Sequence, residues 1–295
     1  MSKRLQIQKH LRVLEEIGGI MGAMKNIALI ETHKLARFLA YQHRVLAGIE
    51  VAAADFLGHY PAMAPPAAPS PSGIVVAIGS QRGFCGDFNE SLAQAVRRHR
   101  QQLGDERSRV VVVGRRLATK LNRDPNIAAA FDGPSVSEEV QPVLQRVMET
   151  LSDLQARAAH PLAISVFVHR EGESEVSARS ILPAPHPGRA APRHPCPPLL
   201  NVAPQAFFAE LARHYLWAQM HDVFYGSLMA ENRRRLQHLE GAMQRMEEKS
   251  DDLQRRCNLL RQEEITEEIE VIMLSNDALQ KSLRTKMNGP ASTTN

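Results

Sequence analysis

Both ends of this 295-residue chain carry long, nearly uninterrupted helical patterns. They run from about Ser2 to Leu57 and from about Gln205 to Met287, with a shorter mixed α/β stretch between them. At about 1.5 Å rise per residue the C-terminal segment reaches roughly 120 Å, several times the diameter of a small domain. No single compact core buries a helix of that length. A chain built this way is a shaft, a clamp or a coiled coil.

The apolar spacing agrees. In the C-terminal segment Leu236, Leu239, Met243, Met246, Ser250, Leu253, Cys257 and Leu260 step by alternating three and four residues, which makes a narrow seam with one polar slot. The phase breaks between Leu260 and Ile265 and resumes through Ile269, Ile272, Asn276, Leu279 and Leu283. In the N-terminal segment Leu14, Ile17, Met21, Met24, Ala28, Leu35 and Phe38 follow the same rule, with Glu31 in the slot. Two such helices separated by a folded unit are expected to return antiparallel against each other as an irregular coil. A coiled coil that dimerises with itself is the alternative.

The middle of the chain reads as a small Rossmann-like α/β unit. Gly73 to Ile78 and Arg109 to Val113 are β-branched runs, each followed by a turn and a helix, about Asn89 to Leu103 and Arg116 to Leu121. A weaker strand is expected at Asn126 to Phe131, a helix from Val136 to Ala159, and a strand pair at Leu162 to His169 and Val176 to Leu182. Strands alternating with helices predict a mainly parallel sheet with helical cover. The expected organisation is an N-terminal helix over 1–60, the α/β unit over 73–183 and a C-terminal helix over 205–287. Pro-rich joints lie over 61–72 and 184–204, and a flexible tail over 288–295.

Composition excludes several classes. Aromatic content of 5% is low, as expected where coil replaces globular core, and the formal charge is +4. Arg233, Arg234 and Arg235 form one basic cluster and Arg97, Arg98 and Arg100 another. A basic helical face can hold nucleic acid, but no aromatic residues interleave with these arginines to stack on bases, and a solvated helix face is the plainer reading. Cys85, Cys196 and Cys257 are too widely spaced for a CxxC pair, and no histidine pair has ligand spacing, so a reducing compartment and no metal or cofactor are expected. No signal peptide and no apolar run near 18 residues is visible, so membrane contact is expected only through partners.

The densest motif is the turn after the first strand, Gly79-Ser80-Gln81-Arg82-Gly83-Phe84-Cys85-Gly86-Asp87-Phe88-Asn89. A glycine-rich strand-to-helix turn can cradle a phosphate, yet this one matches neither GxGxxG nor GxxxxGK[ST]. Cys85 could be a nucleophile with its pKa lowered near a helix N-terminus, although no base can be nominated. A tight structural turn built on Arg82, Gly83, Cys85, Gly86 and Asn89 is the default reading.

Four stretches resemble the gamma subunit of F-type ATP synthases. Ile20-Met21-Gly22-Ala23-Met24 with Ile27-Ala28 is similar to the family's K-I-T-K-A-M-x-M-V-A segment, and Ser80 to Gly86 with Asn89 is similar to S-D-R-G-L-C-G-G-x-N. Val113-Gly114-Arg115-Arg116 resembles its hydrophobic-G-R-K turn. The fourth block is the strongest: Ser227, Leu228, Glu231, Asn232, Arg235, Met243, Asn258, Arg261, Gln262, Ile265, Thr266, Glu268, Ile269 and Glu270 keep the family's order and spacing.

The resemblance implies a rotor shaft without catalytic residues of its own. Its antiparallel coil would stand inside a ring of three alpha and three beta subunits, and its α/β unit against an epsilon-like subunit and the membrane ring of c subunits. The whole would lie at the cytoplasmic face of a bacterial inner membrane. It assigns Arg261 and Gln262 to contact with a catalytic-subunit loop, and Arg235, Thr266 and Glu268 to coupling and to the stability of the shaft-stator contact. Met24 would face the same region, and by spacing it is also a seam residue. Departures are visible: Gly22 replaces a lysine, Leu29-Ile30-Glu31 stands where the family has A-S-K, and Gln81 and Asp87 replace Asp and Gly. They imply an alternate-type F-ATPase, some of whose members move sodium. Two other classes stay open: a homodimeric coiled-coil module with a basic face for nucleic acid, and an enzyme holding nucleotide at the glycine-rich turn.

Overall fold

A computed structural model describes residues 3–63, 73–103, 108–122, 124–158, 160, 162–170, 175–182 and 196–287. It divides into two units, Met24–Glu240 and Met1–Ala23 with Gly241–Asn295. Helices α1, Lys3–His59, and α5, Pro204–Met287, contribute to both.

The larger unit is organised by the β-branched runs. β1 (Gly73–Ile78) lies between β2 (Ser108–Val113) and β4 (Ala163–His169), parallel to both, with β3 (Ile127–Phe131) parallel beyond β2 and β5 (Val176–Leu182) antiparallel beyond β4. The order is β3-β2-β1-β4-β5. Val75 is in register with Val110 on one side and Ser165 on the other. Apart from Gly73, β1 is buried throughout, which is why it reads as a continuous apolar run rather than an alternating one. The bend between β4 and β5 was expected at Glu171 to Glu173, outside the described residues.

Each sheet face has its own cover. Val75, Ala77, Val110, Val112 and Phe167 face α2 (Phe88–Leu103) and α3 (Arg115–Leu121), which supply Phe88, Leu92, Val96, Leu117 and Leu121. The opposite face packs Ile74, Val76, Ile78, Val111 and Val166 against α4 (Val140–Ala156) and against the two long helices. α4 offers Val140, Val143, Leu144, Val147 and Leu151, one stripe of a 3.6-residue period. Pro142 is tolerated because it sits in the first turn, where its missing N–H would have no intrahelical partner. α1 contributes Leu35, and α5 contributes Met220, Val223, Phe224 and Leu228. The sheet thus uses the long helices as its second layer, and the helices bury part of themselves in its core.

The two long helices run antiparallel in each unit. In the larger one Lys25 pairs with Glu240 at 3.0 Å, Phe38 stacks on Tyr225 at 5.5 Å, Gln42 Nε2 donates to Ala218 O at 2.9 Å, and Phe56 meets Phe207 at 5.0 Å. In the smaller one Arg4 pairs with Glu264 at 2.9 Å, and a Cβ on Gly18 would come within 3.2 Å of Met246 Cε.

The seam differs from its expected phase in two places. On α1, Ile17 and Phe38 are 43% and 47% exposed, while Gly18, Lys25, Thr32 and Leu39 take the inward positions between Leu14, Met21, Ala28 and Leu35. Small residues and an ion pair fit the close approach better than the bulkier apolar neighbours one position earlier. On α5, Leu239 through Leu260 keep the expected phase, but no break follows: Glu264 carries the three-four step onward on its salt bridge to Arg4. Ile265, Ile269 and Ile272 therefore face outward at 46%, 52% and 65% exposure, and Asn276 is exposed too. The side chains of Leu279 and Leu283, most of both expected joints, and the tail over 288–295 lie outside the described residues; Pro61–Met63 of the first joint form a short 3₁₀ turn.

Candidate coupling site

The glycine-rich turn leaves the C-terminal end of β1, next to the point where strand order reverses between β1 and β4. In α/β sheets that crevice is where ligands bind. Here the turn's own polar groups are paired within the protein. Gly79 N–H donates to Val113 O at 2.8 Å, which brings the backbone so close to α3 that a Cβ on Gly79 would sit 2.4 Å from Leu117 Cβ. Ser80 N–H donates to Asn89 Oδ1 at 2.9 Å, and Asn89 Nδ2 returns a bond to Ser80 Oγ at 2.8 Å. Ser80 Oγ donates to Arg82 O at 2.8 Å and accepts the Cys85 thiol at 3.3 Å. Phe84 and Gly86 both take left-handed backbone, each with φ 62°. Gln81 accepts the N–H of Arg115 at 3.1 Å and of Gly133 at 2.8 Å, tying together the segments that follow β1, β2 and β3.

Arg235 of α5 locks this turn. Its Nε donates to Gly83 O at 3.2 Å, its Nη1 to Asn232 Oδ1 at 2.9 Å, and its Nη2 to Glu231 Oε1. Arg235 is 5% exposed, Glu231 3% and Asn232 2%. One turn earlier on α5, Ser227 Oγ donates to Ile78 O at 3.3 Å. At Gly83 the turn offers a carbonyl to a guanidinium. An anion cradle has the reverse polarity, N–H groups meeting a phosphate.

Burial sets the electrostatics. It lifts the Glu231 carboxyl to about 7, with Arg235 pulling the other way. It also pushes the Cys85 thiol up, which overturns the reading of Cys85 as a nucleophile of lowered pKa. At the end of β4, His169 is 1% exposed and its Nε2 lies 2.9 Å from both Phe88 O and Ser91 Oγ. A carbonyl only accepts, so Nε2 carries the proton and the buried Nδ1 is left without a hydrogen bond; burial holds this imidazole below its ordinary pKa.

The structure thus gathers Arg82, Gly83, Cys85, Gly86 and Asn89 with Arg235, and adds Ser80, Gln81, Glu231 and Asn232, which the sequence reading did not single out as site residues. The i, i+4 spacing of Glu231 and Arg235 was the available signal. Met24 belongs to the same larger unit and is half-buried on α1. In the smaller unit Arg261, Gln262, Thr266 and Glu268 are all exposed on α5. The Gln262 backbone carbonyl accepts Thr266 Oγ1 at 2.9 Å, and Glu268 lines a shallow groove with Glu264, Glu267, Val271 and Ile272.

Of the two basic clusters Arg100 and Arg235 are buried, while Arg97, Arg98 and Arg233 are exposed. Arg234 pairs with Asp87 at 2.8 Å, Arg100 with Asp124, and Arg97 donates to Lys120 O at 2.9 Å. Among the described residues no helix is long and apolar enough to cross a membrane.

A five-stranded sheet domain is thus fastened through buried polar contacts onto two antiparallel helices. The profile of the ATP synthase family matches residues 4–279, nearly the whole chain. The chain belongs to the ATP synthase family, as a gamma-type subunit. The ATP synthase gamma chain of Bifidobacterium longum subsp. infantis is 25% identical over 233 residues, covering 72% of this chain and 76% of that one. In fold, the chain is similar to one in the mitochondrial ATP synthase of Euglena gracilis, solved with its OSCP, F1 and c-ring parts. The TM-score is 0.62 at 14% identity, covering 99% of this chain and 98% of that one. A chain of the central stalk and c-ring of Tetrahymena thermophila mitochondrial ATP synthase gives 0.53 at 15% identity, covering 76% and 99%.

Proposed function

We propose that this chain is the rotor shaft that couples ion flow through a membrane ring to the conformational cycle of three catalytic sites. Its partners are the alpha and beta subunits around the helix pair, and an epsilon-like subunit and the ring of c subunits at the sheet domain. It sits on the cytoplasmic face of a bacterial inner membrane and reaches the membrane only through those partners. It performs no chemistry itself. Rotation presents a different side of the shaft to each catalytic site, and a shaft can drive such a change only by contacting the open and closed states differently.

One observation carries this reading. Beyond Glu264, every described side chain of α5 from Ile265 to Asn276 is exposed, including Ile269, Val271, Ile272, Met273 and Leu274 at 52–69%. An apolar run of this kind on the outside of a subunit marks a surface that another protein covers. Arg261, Gln262, Thr266 and Glu268 lie on or beside it and are our candidates for direct contact with the catalytic ring, with Met24 on α1. Arg235 is buried and has committed its donors to Gly83 O of the turn and to Asn232 and Glu231 beside it, so its share in coupling runs through the sheet domain. The departures at Gly22, Glu31, Gln81 and Asp87 support placement in the alternate-type group.

Co-expression with alpha and beta subunits tests the proposal. The expected result is one copy in a particle with three alpha and three beta subunits, whose ATP turnover depends on this chain. A free homodimer that ignores both subunits refutes it.

A further inference from the structure

α4 starts without a cap of its own. Its lead-in turn, Ser137–Glu139, follows Val136, which has no side-chain acceptor and makes no capping bond. The first N–H groups of a helix require an acceptor from somewhere. It comes from α1: Glu31 Oε2 accepts Ser137 N–H at 2.9 Å. The other oxygen, Oε1, accepts Lys34 Nζ at 3.0 Å, and Lys34 Nζ reaches on to Glu138 Oε1 at 2.7 Å. Glu31 is 3% exposed, and a carboxylate buried that far persists only with its oxygens bonded. One turn along α1, Leu35 is fully buried in the core that holds Val140, Val143 and Leu144. A charged cap and an apolar plug therefore fasten the same end of α4 to α1.

We propose that Glu31 is a positioning residue that seats the sheet domain on α1, so that load on the domain enters both long helices; the proposal rests on the rotor reading. Arg235 fastens the glycine-rich turn to α5. With that attachment alone the domain could pivot about α5. A second attachment on the antiparallel helix removes that freedom, and Glu31 supplies its polar part beside the apolar contact of Leu35.

Three variants of the full chain test this. Glu31→Ala removes the acceptor, and Glu31→Gln keeps an oxygen in its place. Ser137→Pro removes the donor, and Val136 is already extended (φ −139°, ψ 161°), the conformation favoured before proline. In Glu31→Ala the Ser137 amide is expected to exchange with solvent roughly tenfold faster, with β1 amides unchanged. In the assembled membrane complex, Glu31→Ala and Ser137→Pro lower the ions moved per ATP hydrolysed, and Glu31→Gln restores the ratio. A wild-type exchange rate at Ser137 in Glu31→Ala overturns the cap, and a wild-type ion-to-ATP ratio in Ser137→Pro overturns the positioning role. Ser137→Pro keeps the test intact if Glu31→Ala does not fold. Failure of the rotor reading shows separately, in a wild-type chain that couples nothing.

Discussion

Substituting Glu231 by Gln removes the ionisation of the most deeply buried carboxyl at the lock, and the consequence can be worked out. The group titrates near 4.5 when unfolded and at about 7 when folded. Below pH 4.5 it is protonated in both states and costs nothing. As the pH rises through that window, the unfolded chain loses its proton first, so folding stability falls until the folded carboxyl ionises as well. Integrating the linkage relation between pH 5 and pH 8 gives a loss of about 2–3 kcal/mol from this residue. His99, His169 and His221 act in the opposite sense: burial lowers their pKa, so the stability they contribute is present above about 6.5 and lost below it. They are common to both proteins and cancel in the difference. Urea unfolding of wild type and Glu231→Gln at pH 5, 6, 7 and 8 should therefore show the stability difference moving by about 2–3 kcal/mol in favour of the variant as the pH rises. Two profiles that stay parallel within about 0.5 kcal/mol would refute the argument, because Glu231 would then ionise as easily inside the protein as outside it.

Gly114 has φ +102°, and a Cβ there would lie 2.5 Å from Gly79 O. Gly114→Ala should cost about 3 kcal/mol, and an unchanged thermal midpoint contradicts this. The His169 imidazole should carry its proton on Nε2 and titrate with a midpoint below 6.5 in an NMR pH series, and a midpoint at or above that value shows that burial does not govern it.

The strands were legible because β-branched runs bounded by glycine and proline have few other uses, and the parallel order followed from helices lying between them. The seam was half legible. Leu14, Met21, Ala28 and Leu35 lie on it, but the stripe beside it carries Ile17, Ile20, Ile27 and Phe38, and hydrophobicity alone favours the bulkier set. What turns the helix the other way is tertiary: close approach at Gly18 and an ion pair at Lys25. Glu31 reads along the sequence as a polar slot in the seam and a reversed charge, not as a cap, since the amide it caps is 106 residues away. The glycine-rich turn announced itself as a tight turn, but its polarity came from Arg235 on α5.

Arg235 and Arg261 stand in the same ordered block, and from sequence they look alike. The structure separates them by what their donors do, and lysine substitution turns that difference into a measurement. Arg235 spans three acceptors with three nitrogens. A lysine ammonium is a single point of charge and cannot reach a backbone carbonyl, an amide and a carboxylate that the planar fork holds apart. Arg235→Lys should therefore destabilise the isolated chain by about 2 kcal/mol, because buried acceptors are left unmet. Arg261 is exposed, so Arg261→Lys should leave stability within about 0.5 kcal/mol and register only in coupled turnover of the assembled complex. Denaturation of both isolated variants decides first. If Arg235→Lys is as stable as wild type, the guanidinium does not hold the turn, and Arg235 becomes a candidate for direct partner contact. If Arg261→Lys unfolds early, the outer face of α5 is needed by the subunit itself and is not reserved for the ring.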